Sequence, residues 1–293
     1  MPSQFERVGI IAKPREALAV ESLKVLIALL EKRGCHITLD QHTAKLLPEN
    51  DWPAANRTAL GASCDLIVVI GGDGTLLDAA RSVARYNKPL VGINRGRLGF
   101  LVDVSPDKID EAVGAVLSGD FNREQRALLE CEVWRGDEVV NRDLALNDVV
   151  VNQPASISML EFDTLANGEL ISRHRADGMI VSTSTGSTAY ALSSGGPIMH
   201  PALEAVSLVP ICPHTLSDRP ILLPLDTLVE IRLDRRSEKA RVTCDGHGFF
   251  DMRSDDRVKI RRAEHRITLL HPADYDYYAI LRSKLQWGHE PQR

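Results

Sequence analysis

The chain of 293 residues carries 35 Lys and Arg against 40 Asp and Glu, a formal net charge of -5 and a pI near 6.0, which argues against a nucleic-acid-binding surface or a basic membrane-docking face. Its five cysteines (Cys35, Cys64, Cys131, Cys212 and Cys244) are odd in number and widely spaced, with no pairing that points to zinc or redox work, so a reducing compartment is expected. The apolar run Val8 to Ala12 stops at Lys13-Pro14 and no stretch approaches membrane-spanning length, which makes a cytoplasmic location the expectation.

In chain order, Val8 to Ala12 reads as a strand and Glu16 to Arg33 as a helix, with Leu23, Leu26, Ile27 and Leu30 on one face and Gly34 as its stop. His36 to Leu39 follows as a strand. Leu66 to Ile70 is continuous, β-branched and bounded by turn signals, the pattern of a strand buried on both faces of a parallel sheet. Leu76 to Tyr86 then reads as a helix, Pro89 to Ile93 as a strand, and Pro106 to Leu117 as a helix opened by Ser105 and Pro106. Such alternation describes a parallel α/β domain.

Between the buried strand and its helix lies Gly71-Gly72-Asp73-Gly74-Thr75. Gly71, Gly72 and Gly74 let backbone approach a ligand, and the helix amides that follow face phosphate oxygens. A carboxylate beside a phosphate cradle is repulsive unless it handles a proton, a hydroxyl or a metal, so Asp73 hints at phosphoryl transfer. No lysine follows the glycines, which excludes a Walker A loop, and Leu77 stands where a dinucleotide fingerprint needs its third glycine. The competing reading is a tight turn with Asp73 as helix cap.

Beyond Asp120 the period changes to two. Val229, Ile231 and Leu233 alternate with Glu230 and Arg232; Val258 and Ile260 with Arg257, Lys259 and Arg261; Ile267 and Leu269 flank Thr268. Asn167-Gly168 and Asp245-Gly246 are hairpin signals, and Asp245 has the chemistry to serve a site as well. Helical spacing returns at Tyr275, Tyr278, Leu281 and Leu285, in a segment with little to pack on unless it rejoins the first domain. The expected division is therefore an α/β domain over residues 1–120, rejoined by a terminal helix within 272–293, and a β-rich domain over 121–271.

Two further segments of the β-rich half carry polar chemistry. Arg175-Ala176-Asp177-Gly178 leads through a short strand to Thr185-Gly186-Ser187-Thr188-Ala189-Tyr190 and on to a helix ended by Gly195-Gly196-Pro197. Its hydroxyls and amides suit ribose and phosphate oxygens, or else form a local capping cluster. Asn147-Asp148, ahead of the apolar Val149-Val150-Val151, offers the acceptors a ribose diol needs, or else makes an Asx turn.

Together these segments resemble the NAD kinase family. The resemblance runs nearly end to end, through Gly71 to Thr75, Gly92-Ile93-Asn94 with Gly96, Leu98-Gly99-Phe100-Leu101, Asn147-Asp148, Thr185 to Tyr190, Ser194 to Pro197, and Pro213-His214-Thr215-Leu216. The first motif is shared with diacylglycerol kinases and phosphofructokinases; the Thr185 to Tyr190 run is far more specific. The resemblance implies a Rossmann-like α/β domain with a β-rich, sandwich-like second domain, and transfer of the terminal phosphate of ATP to the 2′-hydroxyl of the adenosine ribose of NAD with a divalent metal, Mg2+ or Mn2+. By it Asp73 takes the catalytic position, Gly74 offers backbone to the dinucleotide, and Asn147 and Asp148 hold ribose and adenine. Asp177 is implied as a ligand of the other nucleoside, and Thr188, Ala189, Tyr190 and Ser193 as contacts; Arg175 is read as touching a phosphate or a nicotinamide-side group, or else as an exposed cation on a strand edge. The family commonly forms homotetramers in which this tyrosine reaches a site across a subunit boundary.

Three positions depart from the commoner family pattern: Asp148 stands where many members carry Glu, Ser184 replaces a frequent Pro, and His247 holds a place often taken by Gln. Each keeps a hydrogen-bonding role. A lipid kinase would need a basic amphipathic segment, which the chain lacks. A phosphofructokinase would lack the Thr185 to Tyr190 run, and a pure nucleotide sensor would have no use for Asp73.

Overall fold

The computed structural model describes residues 4–13, 17–49, 51–94, 99–153, 159–215, 217–235, 237 and 239–287, so Glu16 and the motif residues Gly96, Leu98 and Leu216 lie outside the described residues. The chain divides into two compact units, Met1–Gln125 with Ile267–Arg293, and Arg126–Arg266. Among the described residues no helix is long and apolar enough to cross a membrane.

The first unit alternates strand and helix: β1 (Arg7–Ala12), α1 (Ala17–Lys32), β2 (His36–Asp40), α2 (Gln41–Ala44), β3 (Ala54–Ala55), α3 (Arg57–Ser63), β4 (Leu66–Ile70), α4 (Asp73–Val83), β5 (Pro89–Ile93) and α5 (Ile109–Leu117). The strands pair in parallel in the order β5-β4-β1-β2-β3. This is the doubly wound arrangement, with strand order reversing between β1 and β4, and the crevice beyond the strand ends there is the favoured ligand site. Leu23, Leu26, Ile27 and Leu30 of α1 pack with Val113, Val116 and Leu117 of α5 on Val8, Ile10, Val68 and Ile70, as the one-faced helical pattern requires. The helix expected from Leu76 begins three residues earlier, so Asp73 lies inside its first turn.

The second unit is antiparallel. The chain enters it within β6 (Asn122–Arg135), continues through β7 (Glu138–Ala145), β8 (Asp148–Asn152), β9 (Leu160–Ala166), β10 (Glu169–Ala176), β11 (Gly178–Thr183), α6 (Tyr190–Ser193), β12 (Ala205–Ile211), β13 (Ile221–Pro224), β14 (Val229–Leu233), β15 (Ala240–Cys244) and β16 (His247–Met252), and leaves within β17 (Asp256–His271). One sheet runs β13-β12-β11-β8-β15-β16. Val149, Val151, Met179, Val181, Leu208 and Val242 from it share a core with Leu160, Phe162, Val229, Ile231, Val258 and Ile260 from β9, β14 and β17, a sandwich of two inner faces. The opposite face of β8, β11 and β12 is also covered, Val150, Ile180 and Val209 packing with Ala191 of α6. Burial on both sides explains why these strands read as continuous apolar runs.

Back in the first unit, Thr268 and Leu269 of β17 pair in parallel with Pro89 and Leu90. The terminal α7 (Tyr277–Leu285) is capped by Asp276, whose carboxylate accepts from the amides of Tyr278 and Ala279, and it buries Ile280 and Leu281.

Candidate functional site

In the first unit all five residues of β4 are buried, and they deliver the glycine loop to the strand-order reversal. The Gly71 amide is fixed to the Ile93 carbonyl at 2.9 Å, and Thr75 and Leu76 both donate to the Gly72 carbonyl. The amides of Asp73 and Gly74 are left without an intrahelical acceptor, as at every helix start. Gly74 is exposed, and a Cβ built on it would meet nothing within 4 Å. Open ground at a helix N-terminus suits an anion.

Asp73 does not cap its helix; Gly72 holds the cap position and no side chain bonds there. Instead its carboxylate accepts the backbone amides of Phe100 at 2.9 Å, Leu101 at 3.1 Å and Val102 at 3.2 Å. An ionised carboxylate has about four acceptor positions. Oδ1 takes two of these bonds and Oδ2 one, so Oδ2 keeps capacity for a hydroxyl proton or a cation. The approach demands Gly99, because a Cβ there would overlap Asp73 Oδ1.

The second unit repeats the device with different purpose. Asp245 sits at the hairpin turn between β15 and β16 with φ 54, followed by Gly246 at φ 67, the pair of left-handed residues a two-residue hairpin turn requires. Its carboxylate accepts from the amides of Leu146 at 2.9 Å, Asn147 at 2.7 Å and Asp148 at 3.1 Å. From the other side the Asn147 carbonyl receives the Thr183 amide at 2.9 Å, while Thr183 Oγ1 donates to the Leu146 carbonyl at 2.6 Å and accepts from the Gly186 amide at 3.1 Å. A Cβ on Gly186 would overlap the Asn147 carbonyl, so this glycine too is dictated by close approach.

Thus fixed, the loop presents two unusual groups. Asn147 Oδ1 is buried with no hydrogen-bond partner, a state that costs energy unless a ligand supplies a donor. Asp148 is 4% exposed, and burial, then the neighbouring charge of Asp245, pushes its carboxyl up to about 7. Tyr190, at the start of α6, is 44% exposed, so its side chain is not spent on core packing. Burial of its phenol raises its pKa, and the charges of Cys212, Asp177 and Asp148 act in the same direction.

The structure thus gathers Gly71, Gly72, Asp73, Gly74 and Thr75 in the first unit, and Asn147 with Asp148 in the second, where Asp177 is exposed ahead of β11 and Tyr190 opens α6. Thr188 and Ala189 adjoin Tyr190, the Ala189 amide bonding the Gly186 carbonyl at 2.8 Å. Arg175, Ser193 and His247 stand exposed on the second unit, and among the described residues no hydrogen bond joins their side chains to Asn147 or Asp148. The carbonyl of Arg175 holds the His214 amide at 2.9 Å, and His247 Nδ1 lies 2.9 Å from the Asp245 carbonyl. The support given by Asp245 escapes sequence reasoning, since an Asp-Gly turn looks the same whether its carboxylate faces water or a loop 97 residues away.

Among the described residues no three His, Cys, Asp or Glu side chains gather as a metal cage. The donor that is present, Asp73 Oδ2 with one amide bond and open ground beside it, is of the kind that suits Mg2+, which keeps its waters and binds through one or two carboxylates plus substrate phosphates.

A doubly wound unit with a glycine-flanked carboxylate at its strand-order reversal, in one chain with a β-rich unit presenting buried polar acceptors, is the arrangement of a phosphotransferase of nucleotides. Residues 8–121 match the ATP-NAD kinase N-terminal domain and residues 146–271 the ATP-NAD kinase C-terminal domain, and the chain belongs to this family. It is 47% identical to the NAD kinase of Nitrosospira multiformis over 100% of this chain and 99% of that one. With the NAD kinase of Teredinibacter turnerae it shares 48% over 97% of each. Among solved structures it resembles an NAD kinase from Archaeoglobus fulgidus in complex with ATP, at 26% identity and a TM-score of 0.73 over 96% of this chain and 97% of that one. Yeast NADH kinase complexed with NADH, at 24% identity, shares the fold with a TM-score of 0.90 over 100% of this chain and 90% of that one. The chain therefore transfers the terminal phosphate of ATP to the 2′-hydroxyl of the adenosine ribose of NAD, giving NADP and ADP.

Proposed function

We propose that Asp73 is the catalytic residue of this transfer and that the two units divide the remaining work. A carboxylate is a feeble base for an alcohol, so Asp73 orients the 2′-hydroxyl and accepts its proton late, as the phosphoryl group moves through a loose transition state. The observation that carries this reading is the free acceptor position on Asp73 Oδ2, beside an open helix N-terminus. Gly71, Gly72, Gly74 and Thr75 cradle phosphate oxygens. Asn147 and Asp148 accept from the adenosine of NAD, with Arg175, Asp177, Thr188, Ala189, Tyr190, Ser193 and His247 completing its contacts. Mg2+, or Mn2+ in its place, would be held by the phosphates of ATP and would offset their charge during transfer. Incubation with ATP, magnesium and NAD should give a product one phosphate heavier, esterified on the adenosine ribose. No such product with ATP or polyphosphate, in either metal, overturns the reading.

The protein works in the cytoplasm as a homotetramer assembled through the β-rich unit, with Tyr190 reaching the site of a neighbouring subunit. Its exposure in the single chain supports this role, and closed symmetry would satisfy it in every copy. Light scattering at assay concentration, paired with activity on serial dilution, tests the assembly. A fully active monomer near 32.3 kDa would return Tyr190 to a site built within one chain.

A further inference from the structure

Away from the nucleotide contacts, the first unit buries a charged cluster. His271, the last residue of β17, is 1% exposed. Its Nδ1 lies 2.9 Å from Asp103 Oδ2 and its Nε2 3.1 Å from Glu124 Oε2, while its ring stacks on Tyr275 with centroids 3.9 Å apart. A neutral imidazole has a single N–H and cannot donate to both carboxylates. Burial opposes the charged form, but the bonds to Asp103 and Glu124 outweigh it and His271 is held protonated above its ordinary range.

Such a cluster is a poor way to gain stability, since apolar residues of similar volume avoid the desolvation it incurs. What it fixes is position. Asp103 directly follows Val102, the last of the three amides that grip Asp73. The described part of that segment is tied by backbone bonds, Gly99 amide to Val102 carbonyl at 3.1 Å and Val104 amide to Gly92 carbonyl at 3.2 Å. Its charged side-chain tether among the described residues is Asp103.

We propose that His271, through Asp103 and braced by Glu124, is a positioning residue for Asp73, setting where residues 100–102 hold the carboxylate during transfer. The proposal rests on Asp73 being the catalytic group. A displacement of about 1 Å at a reacting group costs on the order of 100-fold in rate, so a loosened tether should register in kcat while NAD, held by the other unit's groups, binds as before.

The test is a double-mutant cycle on the full-length enzyme, using Asp73→Asn, His271→Phe, Asp103→Asn and Glu124→Gln, with kcat, the KM for NAD and Tm measured for each. His271→Phe and Asp103→Asn should each lower kcat by about tenfold or more with the KM for NAD changed less than about twofold. Either one combined with Asp73→Asn should add almost no further loss, because groups acting through one another are not additive. Should His271→Phe fail to fold, Asp103→Asn and its double variant decide alone. Folded variants that keep kcat within about twofold, or losses that multiply with that of Asp73→Asn, overturn the positioning role and leave a structural ion cluster. An Asp73→Asn enzyme with undiminished kcat refutes the catalytic assignment instead, a distinguishable failure.

Discussion

Asp73 and Asp245 do the same thing with their oxygens and opposite things with their position. Each carboxylate gathers three consecutive backbone amides, residues 100–102 in the first unit and 146–148 in the second. Asp73 stands at a helix N-terminus beside open ground, so the grip serves the carboxylate: the loop holds the acid. Asp245 stands on a hairpin turn, and there the grip serves the loop, whose Asn147 and Asp148 are the groups left for a ligand. On the proposed assignment, one motif makes a reagent in one unit and a scaffold in the other. What separates the two is the charge nearby. Asp245 has a carboxylate neighbour, and the repulsion falls on Asp148, which is too buried to ionise easily.

The sharpest way to break this comparison is Asp73→Asn, which keeps shape and removes the proton acceptor. Turnover should fall by about 100-fold to 10,000-fold, the range for a positioned general base, with NAD binding largely intact by calorimetry. An asparagine can still serve Leu101 and Val102 through its oxygen, but its NH2 group then faces the Phe100 amide, donor against donor. A loss of about 1 to 3 kcal/mol in stability should accompany the change. Most of kcat surviving would make Asp73 a scaffold like Asp245.

The converse is Asp245→Ala. Three amides lose their acceptor together, so stability should drop by about 2 to 4 kcal/mol, read by denaturant unfolding. The KM for NAD should rise more than kcat falls, because the loop that loosens is the binding one. A variant that lost kcat with its KM unchanged would assign Asp245 to the chemistry.

The two grips also differ in how visible they are from sequence. Asp73 is conspicuous because a buried β-branched strand and three glycines frame it, and the parallel alternation of the first unit follows from the same apolar periods. The second unit hides more. In β7 only Ala145 is fully buried, so Glu138–Ala145 lacks a clean alternation. The helix expected between the Thr185 to Tyr190 run and Gly195 is α6, of only four residues, preceded by a 3-10 turn, because Ser184 and Ser187 spend their hydroxyls on local and loop carbonyls that compete with helix. The two short strands expected near Val258 and Ile267 are one strand of 16 residues. Charged residues interrupt its apolar pattern but not its ladder, and they find partners: Arg261 with Glu130 at 2.7 Å and Arg266 with Glu204 at 2.6 Å. Asp245 stays hidden for a simpler reason: its partners are remote in the chain.

A smaller effect sharpens the scaffold side. Asp148→Ala should weaken NAD binding by about 1.5 to 3 kcal/mol, the range for a hydrogen bond to a charged group. Kinetics should locate the loss in KM. Calorimetric titration with unchanged NAD affinity would remove Asp148 from the contacts and leave Asn147, whose oxygen is buried without a partner, as the group the loop was built to present.

The smallest effect is one of pH, and its sign follows from the shift. Asp148 in the folded chain titrates at about 7 against an ordinary value of 3.8, so between those limits the folded state holds a proton that the unfolded state has released. Folding stability therefore falls as pH rises through this window, and the cost is complete once Asp148 ionises. Asp148→Asn carries no such cost. Its Tm relative to the parent should climb from pH 4 to pH 8, and below pH 4, where both side chains are neutral, the two proteins should be close. The same logic makes nucleotide binding proton-linked: if an ionised Asp148 accepts from the adenosine, NAD binding near pH 7 releases protons, and calorimetry in buffers of different ionisation enthalpy will count them. A Tm difference flat across this range would mean that Asp148 is already charged in the free protein, and that Asp245, its grip on the loop notwithstanding, exerts no repulsion there.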